Sequence, residues 1–473
     1  ETVINRLTEV ENVLFMISAG NSGPGMNTVG SPSNAKNAIS IGATANSAMI
    51  QKQYQWPGKS VDNTETKPQD FMLFFSSRGP SMSAPTATGA VALLLDAARK
   101  YNKLHPEAQL PTDVLTLRRV LLASAKPFDV TRLDPDTGRF TQGQYTWVDQ
   151  GMGRLNLPAA WTKLKQQAAK NLESPVYYEE NGQRVDVALD YDIRVSDTYR
   201  NGQIYNGTLA LPSELAGVIG PVYGKGLWLQ LNDTRSLYRV SVARRLPTNA
   251  LIRPEAGELK RLLSTTMDEF KLKTVVYGSN QNWLKAGTLE QLDCSTSPTK
   301  NLVIVGEGVA DPDPSATEPP APGQRESALY VCVDRSVLQN LPAGDHGALI
   351  MAYRKSGSTT EATPSFTVPV YLTVPHKTLA GHNGFAVKKE VQSMGVHRHY
   401  VDVPAGTSFL TVSLQVPEAA LTGNAAKGCA GVRLYVNEGE NTLMPSEISG
   451  PNQAKSIVTN CTLEGQADNT TRT

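Results

Sequence analysis

The chain has 473 residues, of which 40% are hydrophobic and 19% charged, a composition typical of a soluble globular protein with about two to four domains. Lys and Arg outnumber Asp and Glu by 45 to 44, and the net charge of +1 gives no general attraction to nucleic acid or to an anionic membrane. The apolar runs are well short of the roughly 20 residues that cross a bilayer, so no membrane span is expected.

Residues 1–170 predict an α/β domain. Short apolar runs at 13–18 and 38–41 are bounded by Gly, Asn or Pro, as expected of buried strands. Residues 84–101 and 111–125 carry apolar residues at helical spacing. Strands that alternate with helices in this way favour a parallel sheet.

From about Pro175 the pattern changes to β-structure. Period-two alternation predicts strands at 185–195, 226–231 and 237–242, and 258–263 is the main helical exception. Residues 310–324 hold five prolines and predict a long exposed loop. We therefore predict a β-sandwich over 175–375 and a smaller β-rich, jelly-roll-like domain over 376–473.

One stretch carries a candidate nucleophile. Residues 76–85 read S-S-R-G-P-S-M-S-A-P, and an apolar helix follows. A Ser81 hydroxyl at the start of that helix would face free backbone N–H groups and the positive end of the helix dipole. Both favour the oxyanion that forms when a serine attacks an acyl carbon. Small residues that would let the helix lie deep against a sheet follow the serine: Ser83, Ala84, Gly89 and Ala90.

A second stretch presents an amide. Residues 15–25 read F-M-I-S-A-G-N-S-G-P-G, an apolar strand that runs into a glycine-rich turn with Asn21 at its tip. Ligands of open α/β sheets bind at the carboxyl ends of the strands. An Asn amide there can donate to a tetrahedral oxyanion. Taken alone, the stretch is better interpreted as an Asx-turn with flanking glycines, because Asn and Gly are the commonest turn residues.

The order of these two stretches resembles the catalytic domain of subtilisin-like serine peptidases, over residues 1 to about 165. The resemblance implies that Ser81 is the nucleophile and Asn21 the oxyanion-hole amide. It implies a primary specificity pocket whose base, at Gly30, leaves room for a large P1 side chain. It also implies that one wall of this pocket is formed by Ser18, Ala19 and Gly20. Residues 150–156 and 159–161 resemble the turn and the final helix of the family's catalytic domain.

The serine motif departs from the family pattern in two ways. The family has G-T-S-M where residues 79–82 read G-P-S-M, and it normally places a substantial segment between S-S-R-G-P and the serine. Because a direct bond from Pro80 to Ser81 would remove sheet and pocket elements, we expect that segment to be missing from this sequence. A Cα–Cα separation of about 3.8 Å between Pro80 and Ser81 would instead show a true peptide bond.

The general base is the larger departure. The family's His and Asp lie N-terminal to the Asn motif, whereas all six histidines of this chain follow Ser81. His346 is interpreted as a turn residue, and His397 and His399 as exposed strand residues. We therefore expect the Asp and His to come from an upstream N-terminal half of the same peptidase.

The β-rich part has a resemblance of its own. The segments 342–349, 367–375 and 397–407 resemble the β-sandwich and following domain of tripeptidyl-peptidase II-like subtilases. In that subgroup these domains pack near the active site and support assembly. The resemblance is therefore compatible with an oligomer or a cell-surface assembly.

The cysteines bear on location. Cys294, Cys332, Cys429 and Cys461 all fall in the β-rich part, two in each predicted domain. The distribution fits the disulfides Cys294–Cys332 and Cys429–Cys461, although four cysteines allow three pairings and four buried thiols are an alternative. Disulfides favour a secreted, periplasmic or cell-surface location.

The sequence shows no strong metal site and requires no cofactor. The D-x-D-x-G pattern at 134–138 lacks the later bidentate Glu of a full calcium loop, so a hairpin turn is the preferred interpretation. Ca²⁺ is allowed by the family resemblance alone. The leading hypothesis is a serine peptidase acting on proteins or peptides. The alternative is a catalytically incomplete subtilase that acts as a scaffold or surface-binding protein through its β domains.

Overall fold

The computed structural model of the protein describes somewhat more than half of the chain. The described residues are 1–21, 29–46, 70–72, 83–127, 129–133, 140–144, 146–170, 172–195, 198–200, 203–205, 227–229, 231, 236–277, 283–287, 301–305, 328–376, 399–400, 412–414, 432–434, 456–458 and 470–472.

The N-terminal region, residues 1–170, alternates helices with short strands. In chain order its elements are α1 (Thr2–Glu11), β1 (Met16–Ser18), β2 (Ile39–Ile41), β3 (Thr44–Asn46), β4 (Asp70–Met72), α2 (Ser83–Leu104), α3 (Val114–Ser124), β5 (Asp129–Leu133), β6 (Phe140–Gln144), α4 (Trp147–Gln150) and α5 (Leu157–Ala169).

The centre of this region is the parallel pair β1–β2, with Met16 opposite Ile39. Helices α2, α3 and α5 pack on this pair, because each places apolar residues on one face. The buried residues of this core are Ile39, Val91, Leu94, Ala98, Leu110, Leu117, Val120, Leu121, Ala160 and Leu164. The α/β pattern and the helices expected at 84–101 and 111–125 are thus confirmed.

Side-chain caps fix where two of these helices begin. The Asp113 carboxylate accepts from the Thr116 N–H of α3 at 2.8 Å, and the Asn156 amide oxygen accepts from the Ala159 N–H of α5 at 3.1 Å. Each cap satisfies a backbone donor that the first helical turn leaves unpaired. The glycine-rich turn before α5 bridges back to Lys126, whose N–H donates to the Arg154 carbonyl at 2.9 Å.

One prediction about α2 was wrong. The face of α2 that packs on the core carries Ala87, Val91, Leu94 and Ala98. Gly89 is exposed, and a Cβ added there would meet no atom within 4 Å. The helix is therefore seated by residues about one turn apart from Ala87 onward; of the four small residues, Gly89 is exposed and points away from the core, whereas Ser83, Ala84 and Ala90 are half-buried.

The rest of the chain is dominated by strands. Its elements are β7 (Tyr177–Glu180), β8 (Gln183–Asp186), β9 (Asp190–Val195), β10 (Thr198–Arg200), β11 (Gln203–Tyr205), β12 (Leu227–Leu229), β13 (Leu237–Arg245), α6 (Thr248–Leu251), α7 (Ala256–Thr265), β14 (Met267–Tyr277), β15 (Leu284–Gly287), β16 (Asn301–Val305), β17 (Ala328–Val333), α8 (Arg335–Leu338), β18 (Gly344–Ser356), β19 (Thr359–Thr360), β20 (Phe366–Val374), β21 (Val412–Leu414), β22 (Val432–Leu434), β23 (Ser456–Val458) and β24 (Thr470–Arg472).

Two sheets share one hydrophobic core. The larger has the strand order β12-β20-β18-β14-β16, with β19 on β18, and the smaller has the order β15-β17-β13-β9. Alternate residues of both sheets, such as Val240 and Val331 from one and Phe270 and Val368 from the other, are buried together. The strands predicted at 226–231 and 237–242 are confirmed, and the run at 185–195 is divided between β8 and β9.

The last hundred residues are described only in part. Strands β21 and β24 pair antiparallel, as do β22 and β23. The proline-rich stretch 310–324 lies outside the described residues, and within 387–414 only 399–400 and the strand 412–414 are described. Within the described part of the chain, no helix is both long and apolar enough to cross a membrane.

Cys332 lies on β17 and is disulfide-bonded. The other three cysteines lie outside the described residues, so the pairing with Cys294 stays a prediction.

Candidate active site

The carboxyl end of β1 carries the candidate oxyanion donor. The Ala19 N–H donates to the Ile41 carbonyl at 3.0 Å and extends the β1–β2 ladder by one residue. Gly20 follows with a φ of 103°, a conformation that L side chains rarely adopt, so the chain turns there. Asn21 comes next and is exposed. Its amide therefore stands at the sheet edge where ligands of α/β folds bind.

Residues 29–38, called the pocket loop below, connect to the start of β2. The loop is compact: the Ser33 N–H donates to the Gly30 carbonyl at 3.0 Å and the Ala35 N–H to the Pro32 carbonyl at 3.1 Å. The Ser33 Oγ lies 3.3 Å from the Ile17 carbonyl oxygen and 2.7 Å from the Ser40 Oγ. These contacts join the loop that holds Gly30 to the strand that leads to Ser18, Ala19 and Gly20.

Gly30 faces open space. It is exposed, and a Cβ added there would meet no atom of the described residues within 4 Å. Ala19 is buried, whereas Ser18 is half-buried. A glycine in this position leaves room beside the end of β1, which suits the base of a pocket for a large side chain.

Ser81 lies outside the described residues, as do Pro80 and Met82. The described part of α2 begins at Ser83, two residues after the candidate nucleophile, and α2 packs with β1 and β2 in one core. The role of Ser81 and the expected gap after Pro80 therefore stay predictions.

The described histidines have structural surroundings. His105 follows α2 and stacks on Tyr101, with ring centroids 4.2 Å apart. His346 is buried in strand β18, with its Nε2 2.8 Å from the Pro342 carbonyl oxygen, so its interpretation as a turn residue was wrong. Residues 345–350 are all buried, so both faces of the strand are covered along this stretch, which the local G-D-H-G sequence did not indicate.

His399 also differs from its interpretation as a strand residue. It lies outside any strand, and its Nδ1 is 2.9 Å from the Nε2 of His376. His397 lies outside the described residues. Among the residues that the structure describes, no three His, Cys, Asp or Glu side chains form a metal-binding group. Asp134 and Asp136 are outside the described ranges, between the antiparallel strands β5 and β6.

The strongest electrostatic contacts near the pocket loop come from the β-rich region. Lys36, on the loop, donates to Asp190 Oδ2 of β9 at 2.6 Å. Arg245 of β13 donates to the same oxygen from Nε at 2.9 Å and from a terminal nitrogen at 2.6 Å. Burial by itself would raise the pKa of Asp190, but the Lys36 and Arg245 cations outweigh it and hold that pKa below its ordinary value.

A buried carboxylate on α1 makes the second contact with the loop. Glu9 Oε1 accepts from the Asn37 side-chain amide at 2.8 Å, and Glu9 Oε2 accepts from the Thr248 N–H at 2.7 Å and its hydroxyl at 2.5 Å. Sequence reasoning missed Glu9 and Asp190. Neither has a local signal, because the side chains they bind are 28 to 239 positions away along the chain.

Three similarities to known proteins bear on this geometry. The sequence model of the subtilase family, Peptidase S8, matches residues 2–154. The chain is 30% identical over 209 residues to pyrolysin from Pyrococcus furiosus and 26% identical over 196 residues to tripeptidyl-peptidase 2 from Arabidopsis thaliana. Each alignment covers 34% of this chain and 13% of the relative, so the chain spans about an eighth of the length of these two proteins.

Among solved structures, the crystal structure of tripeptidyl peptidase 2 matches over 91% of this chain and 25% of that protein, with 15% identity and a TM-score of 0.43. The family match covers α1 to α4 and β1 to β6, and it includes Asn21 and the pocket loop. Residues 2–154 of this chain therefore match the subtilase family of serine peptidases.

Proposed function

We propose that this protein hydrolyses peptide bonds with Ser81 as the nucleophile. The Asn21 amide stabilises the oxyanion of the tetrahedral intermediate. Ser18, Ala19 and Gly20 line one wall of the primary specificity pocket, and Gly30 forms its base. The substrates are proteins or peptides with a large P1 side chain.

One observation carries the proposal: within the segment that matches the subtilase family, Asn21 is exposed at the carboxyl end of β1, and Gly30 has no described atom near its Cβ position. An amide donor is useful only if it can reach a substrate, and Asn21 is accessible. A side chain of the substrate needs open space, and the described surroundings of Gly30 provide it. The two features are joined by the hydrogen bonds of Ser33.

The general base comes from outside this chain in our proposal. A serine hydroxyl needs a neighbouring base to act as a nucleophile. His105 and His346 are held by Tyr101 and Pro342, and His376 and His399 contact each other. We therefore assign the His, and the Asp that orients it, to an upstream segment of the same peptidase.

The β-rich region has a supporting role in this proposal. We assign residues 175–375 to a β-sandwich that packs against the peptidase domain and 376–473 to a smaller β-rich domain that supports assembly. The disulfide bond of Cys332 favours a secreted, periplasmic or cell-surface location. Ca²⁺ is not needed for the chemistry.

The test compares variants of the full-length protein on a fluorogenic peptide. Ser81→Ala is expected to abolish turnover. Asn21→Ala is expected to lower kcat by about 10²- to 10³-fold with little change in KM, because an oxyanion-hole donor acts mainly in the transition state. Wild-type protein without turnover would instead favour the scaffold function.

A further inference from the structure

We propose that the β-rich region holds the pocket loop in position, with Asp190 and Glu9 as the positioning residues. This inference rests on the proposed function, because the loop bears on specificity only if Gly30 forms the base of the pocket. Neither carboxylate touches the substrate. Each acts through the backbone of residues 29–38.

The first link is ionic and crosses from the peptidase domain to the β-rich region. Lys36 Nζ lies 2.6 Å from Asp190 Oδ2, and the two side chains are 28% and 25% exposed. Asp190 is itself fixed, since its Oδ1 accepts from the Tyr191 N–H at 2.9 Å and Arg245 binds its Oδ2. A carboxylate held by its own strand and by a guanidinium makes a rigid anchor for the loop lysine.

The second link passes through α1. The Asn37 N–H donates to Asn5 Oδ1 at 2.9 Å, and the Asn37 side chain donates to the buried Glu9. Glu9 in turn binds Thr248, at the start of α6, and lies 3.5 Å from an Arg245 nitrogen. Two consecutive loop residues, Lys36 and Asn37, are thus tied to carboxylates that share Arg245.

Other contacts of the loop with residues that the structure describes come from the peptidase core. Ser33 contacts β1 and β2, and Arg118 of α3 donates from Nε to the Ala38 carbonyl at 3.4 Å. These contacts hold the middle and the C-terminal end of the loop, and Gly30 is exposed at its N-terminal end. Loss of the Lys36 or Asn37 contacts would therefore let the Gly30 end of the loop move relative to Ala19.

The consequence is a dependence of specificity on the β-rich region. A pocket base that shifts by even an ångström weakens the binding of a large side chain more than that of a small one. The chemistry at Ser81 does not depend on the pocket in the same way. Disturbing the links should thus change KM for large P1 residues and leave the reactivity of the serine unchanged.

The experiment uses Lys36→Met in the full-length protein. This variant removes the loop cation and leaves Asp190 paired with Arg245, so no carboxylate is stranded. Amide hydrogen exchange in 29–38 is expected to be faster than in wild type. The KM for a P1 Phe peptide is expected to rise about tenfold, the factor that corresponds to loss of one charged hydrogen bond. The KM for a P1 Ala peptide is expected to change little. The rate of labelling by a fluorophosphonate is expected to equal that of wild type.

Three further variants sharpen the test. Lys36→Arg keeps the ion pair and is expected to restore the KM for P1 Phe. Asp190→Asn attacks the same link from the β-rich region and should reproduce Lys36→Met. The control Glu269→Gln breaks a comparable 2.6 Å ion pair with Lys355, between β14 and β18, and should alter neither exchange in 29–38 nor KM.

Unchanged hydrogen exchange in 29–38 of both Lys36→Met and Asp190→Asn would overturn the positioning role. An equal rise in KM for P1 Phe and P1 Ala would overturn the link to specificity. Failure of the wild-type protein to react with the fluorophosphonate would overturn the proposed peptidase instead, and hydrogen exchange would still decide whether Asp190 holds the loop.

Discussion

At residue 30, a glycine leaves space that any side chain would fill. A Cβ there meets no described atom within 4 Å, and the backbone of Gly30 lies outside the positive-φ region that L residues avoid. The Gly30→Val variant should therefore fold normally, and the valine side chain should occupy this space. We expect kcat/KM for a P1 Phe peptide to fall by about 10- to 100-fold, while that for P1 Ala is retained.

The measurement is a comparison of kcat/KM over a P1 series, with the thermal unfolding midpoint as the control for folding. An equal loss for every P1 residue, with an unchanged unfolding midpoint, would show that Gly30 does not form the base of the pocket.

Gly153 shows the opposite situation, a glycine required by a close approach. Its φ is 107°, and a Cβ there would stand 2.5 Å from backbone atoms of Lys126 and Pro127. Gly151 is the matched control, because its φ of 56° is also positive but its surroundings are open. We expect Gly153→Ala to lower the free energy of unfolding by about 3 kcal/mol and Gly151→Ala by about 1 kcal/mol.

Urea unfolding of the two variants gives these values. Equal losses in the free energy of unfolding would contradict the role of the Lys126 contact, because the prediction attributes the difference between the two glycines to that contact.

The position of Asn21 could be predicted at this scale, whereas the partners of Glu9 could not. A strand that ends in glycine-rich sequence places an amide at the sheet edge by local rules. A glutamate in a polar helix predicts a solvent-exposed side chain, and Glu9 is nevertheless buried. Its burial depends on Asn37 and Thr248, which only the folded chain brings to it.

At the scale of the elements, hydrophobic periodicity predicted α2 and α3 to within three residues at most of their ends. Both helices pack one apolar face on β1 and β2, so the pattern in the sequence reflects a single buried surface. The sequence did not indicate which residues of α2 form its contact face near the N-terminus. Small residues permit a close approach but do not require one, and Gly89 remains exposed.

Helix α4 makes a contact between the two regions that can be tested directly. The Trp147 indole N–H donates to the Val370 carbonyl of β20 at 2.9 Å, and its ring meets Tyr371 edge-on, with centroids 6.2 Å apart. Trp147→Phe keeps an aromatic ring and removes the donor. We expect a loss of about 1 kcal/mol in the free energy of unfolding, because one hydrogen bond is lost.

Trp161→Phe, on α5, serves as the control for the loss of indole volume. Trp161 packs within the N-terminal region, edge-on to Tyr101. If calorimetry shows separate unfolding transitions for the two regions, only Trp147→Phe should change the temperature interval between them. Identical effects of both substitutions would contradict a specific role for the Trp147 contact.

At the scale of the whole molecule, the ion pairs of Asp190 predict a dependence of stability on pH. The pKa of Asp190 is lowered in the folded protein from an ordinary value of 3.8. The ionised carboxylate therefore stabilises the folded state above about pH 4, and this stabilisation is lost as the pH falls through the lowered pKa. Lys36 and Arg245 are the cations paired with Asp190, and the buried Arg118 also interacts with it electrostatically.

The difference in free energy of unfolding between wild type and Asp190→Asn measures this effect, because the two proteins share every other titratable group. The difference should be constant from about pH 5 to 8 and should decrease toward zero below about pH 4. A difference that grows with acidification would contradict the pairing.

The links between regions lay beyond prediction from the sequence for a physical reason. Lys36 and Asp190 are 154 residues apart, and Trp147 and Val370 are 223 apart. Periodicity and turn chemistry report on local structure, whereas these contacts depend on how two independently patterned regions pack. The subtilase motifs were recognisable because the candidate catalytic residues lie in short stretches with characteristic order.

The central claim is that Ser81 is an activated nucleophile in the full-length protein. The most direct measurement is mass spectrometry of the peptide that carries a fluorophosphonate adduct after reaction at neutral pH. The account predicts a single adduct on Ser81, formed by wild type and absent in Ser81→Ala. An adduct on another residue, or no adduct on the intact full-length protein, would contradict it.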